Sequence, residues 1–326
     1  MRFAIVGCGL LGQKRARSLK GRHSLAVAAD IVPDRARTLA RQWPGARAVS
    51  DWKMAVESPD VDAVIVATTN DHLAPVTLAA VQAGRPVLVE KPAARSASEL
   101  RPVMESAARA GVWVQAGFNH RYHPAFRRAR EIYESQALGN LMFIRGRYGH
   151  GGRTGYDREW RADPRIAGGG EVLDQGVHLI DLARWFLGDF ACVEGSIHTF
   201  FWDMPVEDNG FLLLRTAQDQ VAWLHASCTE WKNLFSFEIY GRHGKLHIDG
   251  LGGSYGIERL AYYQMSPQMG PPETTIWEYP GEDRSWESEL TDFEAAVSGQ
   301  RGCAPGLPEA FAALEVVERL YGNSHA

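Results

Sequence analysis

Three sets of side chains have types and spacings suited to hydride-transfer chemistry. The first is Gly7-Cys8-Gly9-Leu10-Leu11-Gly12, a GxGxxG sequence. In that pattern Gly7 permits a tight turn, Gly9 lets a pyrophosphate approach the backbone, and Gly12 lets a helix pack on the preceding strand. Free N–H groups at the helix start, where Leu10 and Leu11 stand, then point at the phosphates. The second is Asp30, 18 positions past Gly12, where a carboxylate accepts hydrogen bonds from a ribose diol and repels a 2′-phosphate. NAD is therefore the expected cofactor. NADP is the alternative, because Arg35 and Arg37 follow closely. The third set is Lys91, Asp174 and His178. Asp174 and His178 are four apart in a stretch that reads as a helix, so they share a face. A carboxylate beside an imidazole orients it and stabilises its charged form. An imidazole titrating near roughly 6.5 suits removal of a hydroxyl proton near neutrality. Lys91 follows the run Val87-Leu88-Val89-Glu90. Its ammonium is placed either to hydrogen-bond the reacting oxygen or, with its pKa lowered by burial, to move the proton itself. Taken singly, a DxxxH pair also fits a surface ion pair, and Lys91-Pro92 also fits a plain turn.

These residues need a scaffold, and the first third of the chain spells one. Apolar strand candidates at Arg2–Val6, Leu25–Ala29, Val61–Ala67, Pro86–Glu90 and Val112–Ala116 alternate with helical stretches at Leu10–Lys20, Asp34–Gln42, Asp71–Ala83 and Ser98–Ala110. Continuous apolar runs suit strands covered on both faces, and the alternation implies parallel pairing through right-handed crossovers. The glycine motif falls directly after the first strand. From Leu141 the pattern changes to strand-like segments without long helices between them, at Leu141–Tyr148, Ala191–Phe201, Gly210–Arg215, Val221–Thr229, Leu234–Gly241 and Lys245–Ile248. Hairpin turns such as Arg242-His243-Gly244 point to an antiparallel sheet. The expected class is α/β: a Rossmann doubly wound parallel sheet over 1–118, then an α+β domain with a large open, mainly antiparallel sheet over 119–326. Pro308–Tyr321 has the apolar spacing of a closing helix, and Met265–Thr274 reads as a surface excursion.

Glu90-Lys91-Pro92 and the later Gly168-Gly169-Gly170-Glu171-Val172-Leu173-Asp174-Gln175-Gly176-Val177-His178-Leu179-Ile180-Asp181 add a further layer. Together with the glycine motif they resemble the glucose–fructose oxidoreductase / inositol dehydrogenase / MocA family, over essentially the whole chain. The resemblance implies oxidation or reduction of a sugar or polyol carbon, with Lys91, Asp174 and His178 as the catalytic set. It implies that the loop with Thr68, Thr69, Asn70 and His72 faces the cofactor, together with Glu90, Lys91 and Asn119, and that Arg121 meets substrate. Thr69 or Asn70 as a mere helix cap, and Arg121 as an interdomain packing residue, are the competing readings. We take His178 as general acid/base, Asp174 as its orienter and Lys91 as the group on the reacting oxygen.

The stretch from Arg145 to Gly170 is rich in glycine, arginine and aromatics, including Tyr148, Arg153, Tyr156, Trp160 and Arg161. A long loop of this composition suits folding over a polar ligand. Arginine favours phosphate, which points to a sugar phosphate or nucleotide sugar. Pairing of the arginines with Asp157, Glu159 and Asp163 is the competing reading.

Among 326 residues, 45% are hydrophobic and 23% charged, with a formal net charge of −4. Nothing here calls for nucleic acid or a membrane surface, and no apolar run reaches the length of a bilayer span. The N-terminal apolar run is too short for a signal peptide, so a cytoplasmic protein is expected. Cys8, Cys192, Cys228 and Cys303 lack disulfide or zinc spacing. The histidine pairs His120/His123 and His243/His247 do not read as metal ligands. Trp202, Trp223, Trp231 and Trp277 in the sheet region point to a face buried in a homodimer or homotetramer, with packing inside one chain as the alternative. Two other functional readings stand beside the sugar or polyol dehydrogenase: a non-catalytic NAD-binding redox sensor, and a glycosidase-like enzyme that uses tightly held NAD for transient oxidation.

Overall fold

In the computed structural model of the chain, all residues are described except Met269, Arg301, Cys303, His325 and Ala326. Cys303 of the sequence analysis thus lies outside the described residues. Two compact units emerge, one of Met1–Phe118, Arg165–Gly168 and Trp286–Leu314, the other of Asn119–Pro164, Gly169–Ser285 and Glu315–Ala326.

The first unit alternates β1 (Arg2–Val6), α1 (Leu10–Leu19), β2 (Ser24–Ala29), α2 (Pro33–Ala40), β3 (Arg47–Val49), α3 (Lys53–Val56), β4 (Ala63–Val66), α4 (Asn70–Gln82), β5 (Val87–Glu90), α5 (Ala97–Ala110) and β6 (Val114–Gly117). The strands form one sheet in the order β3-β2-β1-β4-β5-β6, all parallel. The order reverses between β1 and β4. A ligand crevice belongs there, beyond the carboxyl ends of the strands. Gly7, Asp30, Thr68 and Lys91 all follow such ends. Phe3, Ile5, Leu25, Ala28, Ile65 and Leu88 are buried in a core that Leu290 and Phe293 complete. Leu290 and Phe293 belong to a helix absent from the sequence reading.

The second unit holds α6 (Pro124–Glu134), β7 (Leu141–Gly149) and α8 (Val177–Leu187), while the short α7 (Pro164–Ala167) lies mostly in the Arg165–Gly168 segment of the first. Its strands continue through β8 (Phe190–His198), β9 (Asn209–Thr216), β10 (Val221–Ser227), β11 (Leu234–Gly241), β12 (Gly244–Asp249), β13 (Glu258–Gln264) and β14 (Glu273–Tyr279). The eight strands run β14-β13-β12-β11-β7-β10-β9-β8. Only β7 and β10 pair in parallel; the other neighbours are antiparallel. One row of a single face crosses the sheet, Leu213, Trp223, Arg145, Glu238, His247, Ala261 and Ile276, exposed at its ends and buried at Ala261. Leu213 and Trp223 are 41% exposed and Ile276 51%. The chain ends with α9 (Ser285–Val297) and α10 (Leu307–Ser324).

The sheet is wider than the sequence reading, which stops at Ile248. Along β14 exposed and half-buried residues alternate, so that edge strand has no apolar run to announce it, and its pairing with β13 defines it. Met265–Thr274 is in large part the connection between β13 and β14. The helices α6 and α9 were likewise not separated from their surroundings in the sequence.

Candidate active site

The glycine turn is fixed by sterics. Gly7 has φ +91°, and a Cβ on it would strike the carbonyl of Ala67; a Cβ on Gly12 would strike the carbonyl of Gly7. Gly9 differs, because a Cβ there would meet no protein atom within 4 Å. The space it keeps clear lies outside the protein surface, as a cradle for a phosphate requires. Gly9 also caps α1, which has no side-chain cap and no acidic residue in its first turn. The first N–H groups of α1 thus have no side-chain acceptor at the cap, and the helix dipole favours an anion there. Asp30 accepts from the Cys8 N–H through Oδ2 and from the Val32 N–H through Oδ1, both at 2.8 Å. Its carboxylate therefore ties the end of β2 to the glycine turn, and each oxygen keeps a further lone pair. Leu10 and Ile31 on either side are 76% and 81% exposed. Ile31 was not singled out in the sequence. Large apolar groups beside a phosphate cradle suit the flat face of a base. These residues fit a dinucleotide.

The loop after β4 is internally bonded. Thr69 donates to Asp71 at 2.6 Å, and His72 Nδ1 lies 3.0 Å from the same carboxylate. Burial pushes the Asp71 carboxyl up, but these two hydrogen bonds outweigh it and hold it below its ordinary value. The Thr68 hydroxyl donates to the Thr69 carbonyl. Asn70 is buried and donates to the Ala167 carbonyl at 2.8 Å, so its amide nitrogen anchors a neighbouring segment.

At the end of β5 lies a buried ionic cluster. Arg15 on α1 donates from Nε to Glu90 at 2.6 Å and from Nη1 to Glu289 on α9. All three are buried, and the indole of Trp286 stacks over the guanidinium at 4.3 Å. Gly117 makes this possible, since a Cβ there would come within 2.9 Å of Arg15 Nη2. Lys91 follows directly, half-buried, with a cis bond to Pro92. Arg15 and Glu289 carry no motif and could be found only through the tertiary structure.

In the second unit Asp174 lies in a single π turn, Val172–Gly176, which runs into α8 with His178 in its first turn. The stretch is helical as expected, but its first part is wider than an α-helix, a feature often seen where a side chain is re-aimed at a functional site. Asp174 accepts from Arg161 Nε at 3.0 Å. His178 is 3% exposed, and its ring stacks on that of His120. Tyr148 is buried and hydrogen-bonded to Tyr255. Burial, followed by the nearby Tyr255, Asp174 and Glu171, raises its phenol well above the ordinary value. Arg121 grips Asp181 with two bonds, at 2.8 and 2.5 Å, both residues buried. Asn119 donates to Ser285. In the arginine-rich loop, Arg153 donates to Glu159 at 2.6 Å, Arg161 is shared by Asp174 and the Trp160 ring, and Tyr156 is buried against Trp202. Arg153 pairs with Glu159, one of the carboxylates of the competing reading, whereas the near partner of Arg161 is Asp174, outside that set. The glycine run is tightly packed as well. A Cβ on Gly170 would strike the Glu207 carbonyl, and one on Gly169 the Tyr321 hydroxyl. Glu207 accepts from the Gly170 and Val172 N–H groups and from Tyr321. Among the described residues no cluster of three or more His, Cys, Asp or Glu side chains is arranged to hold a metal ion, and no helix is long and apolar enough to cross a membrane.

Residues 1–118 match a family model described as oxidoreductase family, NAD-binding Rossmann fold, and residues 126–247 match the GFO/IDH/MocA C-terminal domain. The chain belongs to the GFO/IDH/MocA family. Its first unit is the NAD-binding Rossmann fold of that family, and its eight-stranded sheet lies largely in the family's C-terminal domain. Among curated relatives, the levoglucosan dehydrogenase of Pseudarthrobacter phenanthrenivorans is 30% identical over 59% of this chain and 50% of its own length. Inositol 2-dehydrogenase 2 of Saccharopolyspora erythraea is 32% identical over 61% of this chain and 57% of its own. The matches thus span about half the length of these two relatives. Inositol 2-dehydrogenase of Acidothermus cellulolyticus is 27% identical over 96% of this chain and 89% of its own. Among solved structures, levoglucosan dehydrogenase in complex with NADH and levoglucosan superposes with a TM-score of 0.89 at 22% identity, covering 100% of this chain and 97% of that one. GenD2 from gentamicin A biosynthesis, in complex with NAD, gives 0.84 at 26% identity, covering 100% and 94%.

Proposed function

We propose that this chain is an NAD-dependent dehydrogenase that oxidises a secondary alcohol of an uncharged sugar or polyol, or reduces the matching ketone. The observation that carries it is a buried imidazole, His178, in a chain that also holds a steric cradle for a dinucleotide at Gly7, Gly9, Gly12 and Asp30. Bound NAD supplies the acceptor for the carbinol hydride, so that the substrate carbon becomes a carbonyl. His178 takes the hydroxyl proton in oxidation and returns it in reduction. Lys91 holds the reacting oxygen by an ammonium hydrogen bond and stabilises alkoxide character. Asp174 orients His178, and Arg161, donating to Asp174 at 3.0 Å, holds that carboxylate in place. On the cofactor side we assign the N–H groups at Leu10 and Leu11, with Thr68, Thr69, Asn70, His72, Glu90 and Asn119 lining or shaping its site. Asp30 favours NAD over NADP, because a carboxylate at the end of β2 repels a 2′-phosphate.

An uncharged substrate is favoured over a sugar phosphate because Arg153 and Arg161 already face Glu159 and Asp174, and Arg121 faces Asp181. Tyr148, Tyr156 and Trp160 then supply hydroxyl and stacking contacts to the sugar. The relatives named for levoglucosan and inositol, both uncharged, support this class. The division into a cofactor domain over 1–118 and a substrate domain over 119–326, a cytoplasmic location, and a homodimer or homotetramer joined through the outward Leu213–Trp223 face belong to the same proposal.

The test is reduced nicotinamide absorbance with NAD and a panel of cyclic polyols, free sugars, sugar phosphates and nucleotide sugars. Turnover is expected with the uncharged members and a loss of about 10²- to 10⁴-fold in Lys91→Ala and His178→Ala. NAD binding without NADH across the panel would transfer support to the sensor or to transient oxidation by held cofactor. Turnover only with phosphorylated sugars would remove the uncharged class.

A further inference from the structure

We infer that His120 is a positioning residue for His178: its imidazole, stacked flat on the His178 ring, fixes that ring's plane and restricts the two rings to one positive charge. This rests on His178 as the proton-transfer group. The centroids are 3.7 Å apart with 20° between the planes. The rings are 4% and 3% exposed, so neither turns freely in solvent.

His120 is itself held. Asn119 donates from Nδ2 to Ser285 Oγ at 3.0 Å, which leaves its Oδ1 facing His120 Nδ1 at 3.1 Å. Because that oxygen only accepts, His120 Nδ1 carries the hydrogen. Tyr148 and Phe235 close on the ring at 5.1 and 5.9 Å, tilted by 59° and 60°. One hydrogen bond and two aromatic walls therefore set the His120 plane, and the stack transfers that plane to His178.

The charge restriction follows from the same spacing. An imidazolium is attracted to a neutral aromatic face but repelled by a second imidazolium a few ångströms away in a water-poor site. When His178 takes the substrate's hydroxyl proton, His120 remains neutral and its face supports the new cation. The charged and titratable groups packed around the pair are themselves partnered. His123 lies 5.8 Å from His120 and is bonded to Glu258. Tyr148 is bonded to Tyr255 and feels Asp174 and Glu171. Arg121 is bonded to Asp181. A carboxylate stabilises one proton on a nearby imidazole, and the acids whose charge reaches Tyr148, which lies against both rings, are Asp174 and Glu171. Stacking opposes the second.

The experiment combines NMR titration of His178 in the cofactor-free protein with steady-state kinetics on an uncharged polyol substrate. Three proteins are compared: wild type, His120→Phe, which keeps a flat ring but cannot be protonated, and His120→Leu, which removes the ring. In wild type the His178 signal is expected to titrate in two separated steps, as coupled sites do, and in a single step in His120→Phe. His120→Leu is expected to lose kcat on the order of 100-fold, with the KM for NAD nearly unchanged, and His120→Phe to recover most of that loss. A single-step His178 titration that is the same in wild type and His120→Phe, or equal kcat in wild type and His120→Leu, overturns the inference. The titration needs no substrate. Two-step behaviour in a protein that turns over no sugar or polyol would refute the proposed function while leaving the coupling of the two rings standing.

Discussion

The Arg15–Glu90–Glu289 cluster leads to a stability effect with a definite sign. One guanidinium serves two buried carboxylates. Burial pushes the Glu289 carboxyl from its ordinary 4.5 up to about 7; Glu90 adds to the rise, and Arg15 opposes it. A carboxyl raised in the fold lends full stability below its unfolded value, and that contribution is lost as pH rises through the folded value. Between pH 5 and 8 the loss at this one site comes to about 2–3 kcal/mol. Glu289→Gln keeps an acceptor for Arg15 and removes the titration. The melting temperature of Glu289→Gln relative to wild type is therefore expected to rise, on the order of 5 °C, from pH 5 to pH 8. Calorimetric melts of both proteins at four pH values in that range measure it, and subtraction cancels the groups they share. A difference in melting temperature that stays constant over the range would refute the reasoning. It would mean that Glu289 is ionised throughout and that Arg15 outweighs burial.

Asp30→Ala removes the acceptor for the Cys8 and Val32 N–H groups. NADH binding is expected to weaken by about tenfold or more, since a hydrogen bond to a charged group contributes about 1.5–3 kcal/mol, and the preference over NADPH should shrink. Fluorescence titration of both cofactors reads it, and an unchanged ratio would remove Asp30 as the discriminator. Asp208 is buried and accepts from the backbone N–H groups of Phe200, Phe201 and Trp202. Burial works against its ionisation, but those bonds hold its carboxyl below the ordinary value, so its contribution is present at neutral pH. Asp208→Ala should lower stability at pH 7 by about 3 kcal/mol, and an unchanged melt would show that the loop holds itself.

Much of the first unit was legible because its signals are local. β1, the glycine turn and α1 are consecutive in sequence, and Gly7 and Gly12 each answer to a backbone carbonyl, that of Ala67 just past β4 and that of Gly7 in the turn itself. The parallel order of the sheet follows from strand–helix alternation, since a parallel return needs a crossover. The eight-stranded sheet was legible only in part. β14 is an edge strand with an exposed, alternating face, and no local pattern separates such a segment from a loop. The arginine-rich loop was ambiguous for a different reason. Arg153 and Arg161 suit phosphate and carboxylate equally, and their placement beside Glu159 and Asp174 is a tertiary feature that no local pattern announces.

The sequence by itself determined the class of each unit and the glycine turn that opens α1. Those conclusions rest on patterns local to each strand, helix or turn and on their order along the chain, where covalent geometry limits the alternatives. The tertiary structure alone decided what surrounds each group. Arg15 and Glu289 are 274 positions apart, and Arg121 and Asp181 are 60 apart. His120 and His178 stack across 58 positions of chain. Charge balance and ring stacking at such separations depend on burial and on which elements pack together, and neither is written in the local order of residues.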